Sequence, residues 1–161
     1  MTFPTESLMN DINKTIEITI SPEQAFQKFV DEINNWWPKE YTWSQDELQE
    51  IRIDAKQDGL CTEIGPYDFR CDWGRVTEMI DGKKISLKWQ ISPKREPLPN
   101  PDQASDITIV FRKNGDVTNV DFTHQNFENH GEGSEDYQQA MASEWGWDYI
   151  LNCYTDYCQK H

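Results

Sequence analysis

Positive charge is scarce in this chain: 15 Lys and Arg stand against 29 Asp and Glu in 161 residues, a formal net charge of -14. Such a balance disfavours phosphate backbones and anionic lipid, so neither nucleic acid nor a membrane is an expected partner. A protein with a basic surface is compatible with this charge, and so is plain solubility. Long apolar runs are missing as well. No stretch reaches the ~20 continuous apolar residues of a membrane span. The opening Met1-Thr2-Phe3-Pro4-Thr5-Glu6 lacks the basic and apolar regions of a secretion signal, which makes the cytoplasm the expected location. Cysteine is sparse too, and Cys61, Cys71, Cys153 and Cys158 include no close CxxC pair. Reduced, buried and inert thiols are expected, with no metal and no cofactor. Internal repeats and a domain boundary are both absent. Residues 1–161 read as one domain, with 1–12 as a loosely ordered lead-in and a single core that buries roughly two-thirds of the unfolded surface.

Aromatic residues are what the chain does have: seven Trp, seven Phe and six Tyr, enough to fill a core or line a pocket. Thr15-Ile16-Glu17-Ile18-Thr19-Ile20 alternates strictly, which predicts a first strand with its isoleucines on one face. Ser21-Pro22-Glu23-Gln24 carries an N-cap, a proline at the first helical position and a glutamine three residues after the cap, so a helix begins there. Phe26, Phe29, Val30 and Ile33 form its buried face, and Trp36-Trp37-Pro38 ends it.

Turn pairs at Asp58-Gly59, Gly65-Pro66 and Asp81-Gly82 divide a meander with strands expected over 48–54, 61–64, 69–80 and 84–91. Asn114-Gly115 joins strands over 106–113 and 117–125 as the clearest hairpin. Ile85, Leu87, Trp89 and Ile91 face one way; Ile107, Ile109 and Phe111, then Val120, Phe122 and His124, form further inward rows. Around Trp73 the parity is ambiguous, since Trp73 and Arg75 share one face and Gly74 and Val76 the other. Ser134 reads as an N-cap with Glu135 and Asp136 in the first turn, opening one long helix to the C-terminus. Its inward stripe is expected at Ala140, Glu144, Trp147, Leu151, Tyr154 and Cys158, widened by Tyr137, Met141 and Ile150. The class is α+β: a curved antiparallel sheet of about six or seven strands around a long C-terminal helix, with two short helices after the first strand.

At Cys71-Asp72-Trp73-Gly74-Arg75-Val76, and again at Phe127-Glu128-Asn129-His130-Gly131-Glu132-Gly133, the chain resembles the bacterial activator-of-heat-shock-protein-ATPase-like family. That family lies within the START-like or SRPBCC superfamily, which also holds the birch pollen allergen. Ser21-Pro22 after the opening strand, Trp89 after a glycine turn, and Gly146-Trp147 ahead of an apolar helix agree with it. The resemblance implies a helix-grip fold with a cavity between the sheet and the long helix, which in relatives holds lipids, hormones or polyketides. It implies no common catalytic residue. The acidic balance and the cluster Trp36, Trp37, Tyr41 and Trp43 depart from typical relatives and bear on the cavity mouth.

The candidate ligand-binding set is therefore Trp73, Trp89, Phe111, Phe122, His124 and Trp147. Packed core is the competing explanation for every one of them. His124 can orient a ligand or move a proton, and Glu144 on the helix stripe can pair with it as acid and base; a satisfied core histidine and a solvated carboxylate are the alternatives. His130 in its Gly-rich loop reads as a turn with a cap, because the flanking Glu128, Glu132, Glu135 and Asp136 repel anions. Three functions stay open: a protein holding a small apolar or aromatic molecule, a cyclase or aromatase-like enzyme working through the same cavity, and a co-chaperone or protein-interaction module.

Overall fold

Ser21 sets the first helix by the reciprocal bonds its neighbourhood encodes. Its hydroxyl accepts from the Gln24 amide at 3.1 Å, and the Gln24 side chain accepts from the Ser21 amide at 3.3 Å. Helix α1 (Pro22–Val30) follows, buries Ala25, Phe26, Phe29 and Val30, and ends at Asp31. A one-turn helix α2 (Ile33–Trp36) comes next, and Trp37, in extended conformation ahead of Pro38, closes it. The computed structural model describes residues 11–160. The expected lead-in therefore falls, up to residue 10, outside the described residues, while Ile12 already opens strand β1 (Ile12–Ile18). That strand starts earlier and stops sooner than the alternation suggests, because its partner ladder, Ile12↔His124 to Ile18↔Thr118, is exhausted before Ile20.

The remaining strands are β2 (Glu50–Ile53), β3 (Leu60–Ile64), β4 (Arg70–Ile80), β5 (Lys84–Trp89), β6 (Ser105–Asn114) and β7 (Val117–Gln125). They form one antiparallel seven-stranded sheet in the order β1-β7-β6-β5-β4-β3-β2. The β6–β7 hairpin turns at Gly115, whose φ of +64° is the left-handed conformation a tight turn between right-twisted strands requires. Along β5, Ile85, Leu87 and Trp89 are buried. On the other face Ser86 bonds Thr108 across to β6, and Lys88 pairs with Asp106 at 2.9 Å.

The ambiguity at Trp73 is resolved by a β-bulge. Register steps from Cys61↔Gly74 to Thr62↔Asp72, which leaves Trp73 as an extra residue in β4. Side-chain parity inverts across it, so Cys71 and Trp73 on one side and Gly74 and Val76 on the other are all buried. A Cβ on Gly74 would lie 2.7 Å from the Lys88 carbonyl oxygen, and the bulge is compatible only with glycine there.

The C-terminal helix departs from the expectation of one continuous rod. Helix α3 (Ser134–Ala142) and helix α4 (Trp147–Lys160) are separated by residues 143–146. The chain folds back so tightly that a Cβ on Gly146 would sit 2.2 Å from the Met141 carbonyl oxygen. Gly133, with φ +84°, is the cap in place of Ser134. The break resets the helical phase: Tyr137 and Met141 point inward from α3 and Trp147, Ile150, Leu151, Tyr154 and Cys158 from α4, while Ala140 and Glu144 are exposed. No helix among the described residues is long and apolar enough to cross a membrane.

Candidate functional site

Trp147, the first residue of α4, is the centre of the interior. Its ring centroid lies 4.4 Å from Phe122, 5.3 Å from Trp89 and 6.1 Å from Trp37. Its indole N–H donates to His124 Nδ1 at 2.9 Å, and that bond specifies the tautomer: Nδ1 accepts, so Nε2 carries the proton. Nε2–H then bonds the Ser105 hydroxyl at 2.6 Å, which leaves the Ser105 proton for His130 Nε2 at 2.7 Å. A directed chain thus runs from indole through imidazole and hydroxyl to a second imidazole. Burial holds His124 well below the ordinary histidine range, with His130 adding repulsion, and burial lowers His130 to about 4. Both rings are neutral near pH 7.

These contacts place the sequence candidates. Trp147, Phe122 and His124 are buried and packed against one another between α4 and the sheet. Trp73 stacks on Trp37 at 6.0 Å, and Phe111 packs at the opposite end against Phe26 and Phe29. Glu144 is exposed in the break between α3 and α4, so the carboxylate is not brought to His124, whose two ring nitrogens are occupied by Trp147 and Ser105. His130 closes the 3-10 turn Phe127–His130 and bonds Ser105, consistent with a structural loop. The Cys61 and Cys71 thiols are buried and raised, Cys71 to about 11, mainly by desolvation, and burial also raises Cys153 and Cys158. Among the described residues no three His, Cys, Asp or Glu side chains converge as metal ligands.

The open space lies beside this packed interior. A partly open cavity of about 460 Å³ has Trp89 and Trp37 on its wall together with Ile150 of α4, and is bordered by Tyr41, Trp43, Met141 and Trp145. It occupies the end of the sheet where β5 runs out and the α3–α4 break begins. Trp89 is held edge-on by its N–H bond to the Tyr137 hydroxyl at 2.7 Å, and that hydroxyl donates to the Ile91 carbonyl at 2.9 Å. Tyr41 donates to the Trp145 carbonyl at 2.7 Å and Tyr149 bonds Glu40, which tie the loop after α2 to the break. The Tyr149 hydroxyl keeps the Glu40 carboxyl below its ordinary range.

Glu63 carries no local sequence signal, yet it organises this wall. Its carboxylate, 1% exposed, accepts from the Trp43 amide at 3.1 Å, the Ser44 amide at 2.8 Å and the Ser44 hydroxyl at 2.7 Å. Trp43 then donates its indole N–H to the Arg95 carbonyl at 2.9 Å. Glu63→Ala strands these donors, and the expected loss of unfolding free energy in a urea titration is about 2–3 kcal/mol. A loss below about 0.5 kcal/mol, the range of an ordinary surface change, would show that the carboxylate does not anchor the loop.

Comparison with known proteins agrees with this architecture. The family described as Activator of Hsp90 ATPase homolog 1-like protein matches residues 19–153. Among solved structures, the chain is similar to an anthrahydroquino-gamma-pyrone synthase, Txn09, in complex with SUM (24% identity, 96% of this chain and 99% of that one, TM-score 0.65). It is also similar to the Aha1 dimer from Colwellia psychrerythraea (20% identity, 92% and 95%, TM-score 0.62). CalC, a self-sacrificing resistance protein from Micromonospora echinospora, is a third (18% identity, 93% and 94%, TM-score 0.65). No curated protein matches the sequence.

Proposed function

The chain belongs to the activator of Hsp90 ATPase homolog 1-like family, and on that premise we propose that it binds a small planar apolar or aromatic molecule in the cavity between β5, the loop after α2 and the α3–α4 break. The observation that carries this reading is the wall itself: about 460 Å³ of space faced by Trp37, Tyr41, Trp43, Trp89 and Trp145. Aromatic faces at several angles grip a flat ligand by stacking and edge contacts, and the volume is in the range of small-molecule sites. The helix-grip fold and its likeness to a synthase solved as a complex support the same reading.

The cavity keeps one wall on the sheet, at Trp89, and one on α4, at Ile150, and extends from there under the loop after α2. Trp147 and Phe122 pack beneath the start of α4, and the aromatic cluster of the loop after α2 borders the cavity at the sheet's end. Titration with a neutral flat probe, naphthalene-2-carboxamide, is expected to quench tryptophan fluorescence saturably at 1:1 stoichiometry. Ala140→Trp, at a cavity-lining and solvent-facing position of α3, fills the space and should abolish binding while leaving the melting temperature within a few degrees. Absence of saturable binding in the wild type, or its persistence in Ala140→Trp, would overturn the proposal.

A further inference from the structure

Arg95 stands out among the residues that line the cavity. Its guanidinium lies over the Tyr137 ring, 4.9 Å from the centroid and in hydrogen-bonding contact with that residue, and its Nη1 meets the Met141 sulfur at 3.7 Å. No ion pair forms at Arg95 among the described residues, although the chain carries almost twice as many acidic as basic groups. Most other polar side chains of the wall are engaged inside the protein. Tyr41 bonds Trp145, Thr42 bonds the Lys39 carbonyl, Trp43 bonds Arg95, Trp89 bonds Tyr137, Glu40 bonds Tyr149, and Ser143 bonds the Ala140 carbonyl. The guanidinium is the one cationic donor among the described residues of the wall.

Backbone geometry sharpens the point. Arg95 has φ +64°, a left-handed conformation that costs an ordinary side chain roughly 1–2 kcal/mol and that Gly or Asn fills at less cost. The turn is nonetheless held firmly. The Arg95 amide donates to the Ser92 carbonyl at 2.8 Å, the Ser92 amide to the Glu96 carbonyl at 2.8 Å, and an Ile91↔Pro97 bridge closes the base. An arginine is therefore kept at an unfavourable position whose effect is to present a planar cation to an aromatic cavity.

We propose that Arg95 binds an anionic oxygen, carboxylate or ionised phenol, on the planar aromatic ligand of this cavity, an assignment that rests on the binding reading above. A guanidinium supplies paired N–H donors in the plane of a carboxylate, and the Tyr137 face beneath it leaves its edge available for that contact. The overall charge of -14 repels anions at long range, so a preference for an anionic ligand has to arise locally.

The test compares naphthalene-2-carboxylate with naphthalene-2-carboxamide by fluorescence titration at ~0.15 M salt, where the long-range field is largely screened. The wild type is expected to favour the carboxylate by about tenfold or more, the span of a charge-assisted hydrogen bond. Arg95→Gln should remove that preference, so that the two probes bind it with affinities within about twofold of each other. Arg95→Asn, which suits the left-handed backbone, should also lose the preference while melting no lower than wild type. Equal wild-type affinity for the two probes would overturn the assignment while leaving the cavity reading intact, and so would a preference that survives in either variant. Failure of both probes to bind would overturn both readings.

Discussion

Trp147→Ala is expected to cost about 4–6 kcal/mol of unfolding free energy, most or all of the stability of a domain this size. About 3–5 kcal/mol is the usual cost of deleting a fully buried large ring, and Trp147 is 2% exposed at the junction of Phe122, Trp89 and Trp37. The remainder comes from His124 Nδ1, which loses its donor and stays buried. The two contributions separate in Trp147→Phe, which keeps an aromatic ring and removes the N–H. That variant is expected to lose about 1–3 kcal/mol in urea denaturation. Stability equal to wild type in Trp147→Phe would mean that the indole–imidazole bond contributes nothing and that the buried polar chain is incidental.

Acidification should destabilise the protein before most of its carboxylates titrate. In the folded state His124 is held well below 6.5 and His130 at about 4, whereas both take up protons near 6.5 once unfolded. Between those values the unfolded chain binds more protons, so stability is complete above about pH 7 and falls as pH drops from about 6.5 towards 4. A fully shifted histidine gives a slope of about 1.4 kcal/mol per pH unit. Partial solvent access to His130 reduces its share, and the combined loss from pH 6.5 to 4.5 is expected to be about 2–4 kcal/mol. The Asp121 carboxyl, lowered chiefly by its bond from Arg112, gives up its contribution only below about pH 4, so the two windows are distinct. Urea midpoints measured from pH 7.5 to 4.5 report the slope directly, and His130→Gln should make it shallower. A flat profile across that range would contradict the neutral, buried state of both rings.

These expectations depend on features of differing visibility in the sequence. The capping box at Ser21, the alternation along 84–91 and the Asn114-Gly115 turn are local codes, in which the residues that encode an element also make its bonds. The inward rows of β6 and β7 follow from side-chain period 2, as does the burial of His124 beside Phe122. The family resemblance extends these pieces to a whole fold. Trp73 marks where period counting fails, because a bulge inserts one residue and inverts parity without a distinct sequence pattern. The α3–α4 break is marked in sequence only by Gly146, yet the helical stripe runs through it, and that misplaces Ala140 and Glu144 on the buried face.

By itself the sequence determined the order of strands, the first helix cap, the antiparallel class and the aromatic, acidic character of the domain, since each depends on neighbours within a few residues. Only the tertiary structure decided which aromatics fill the core and which enclose space. Trp147 and Trp89 look alike in a stripe or a strand; one packs among rings and the other borders a cavity because of where the helix breaks. The same holds for Glu63 and Arg95, whose partners or lack of them depend on segments 19 to 46 residues away. Long-range closure, unlike a turn or a cap, is a property of volume and hydrogen-bond satisfaction over the whole chain.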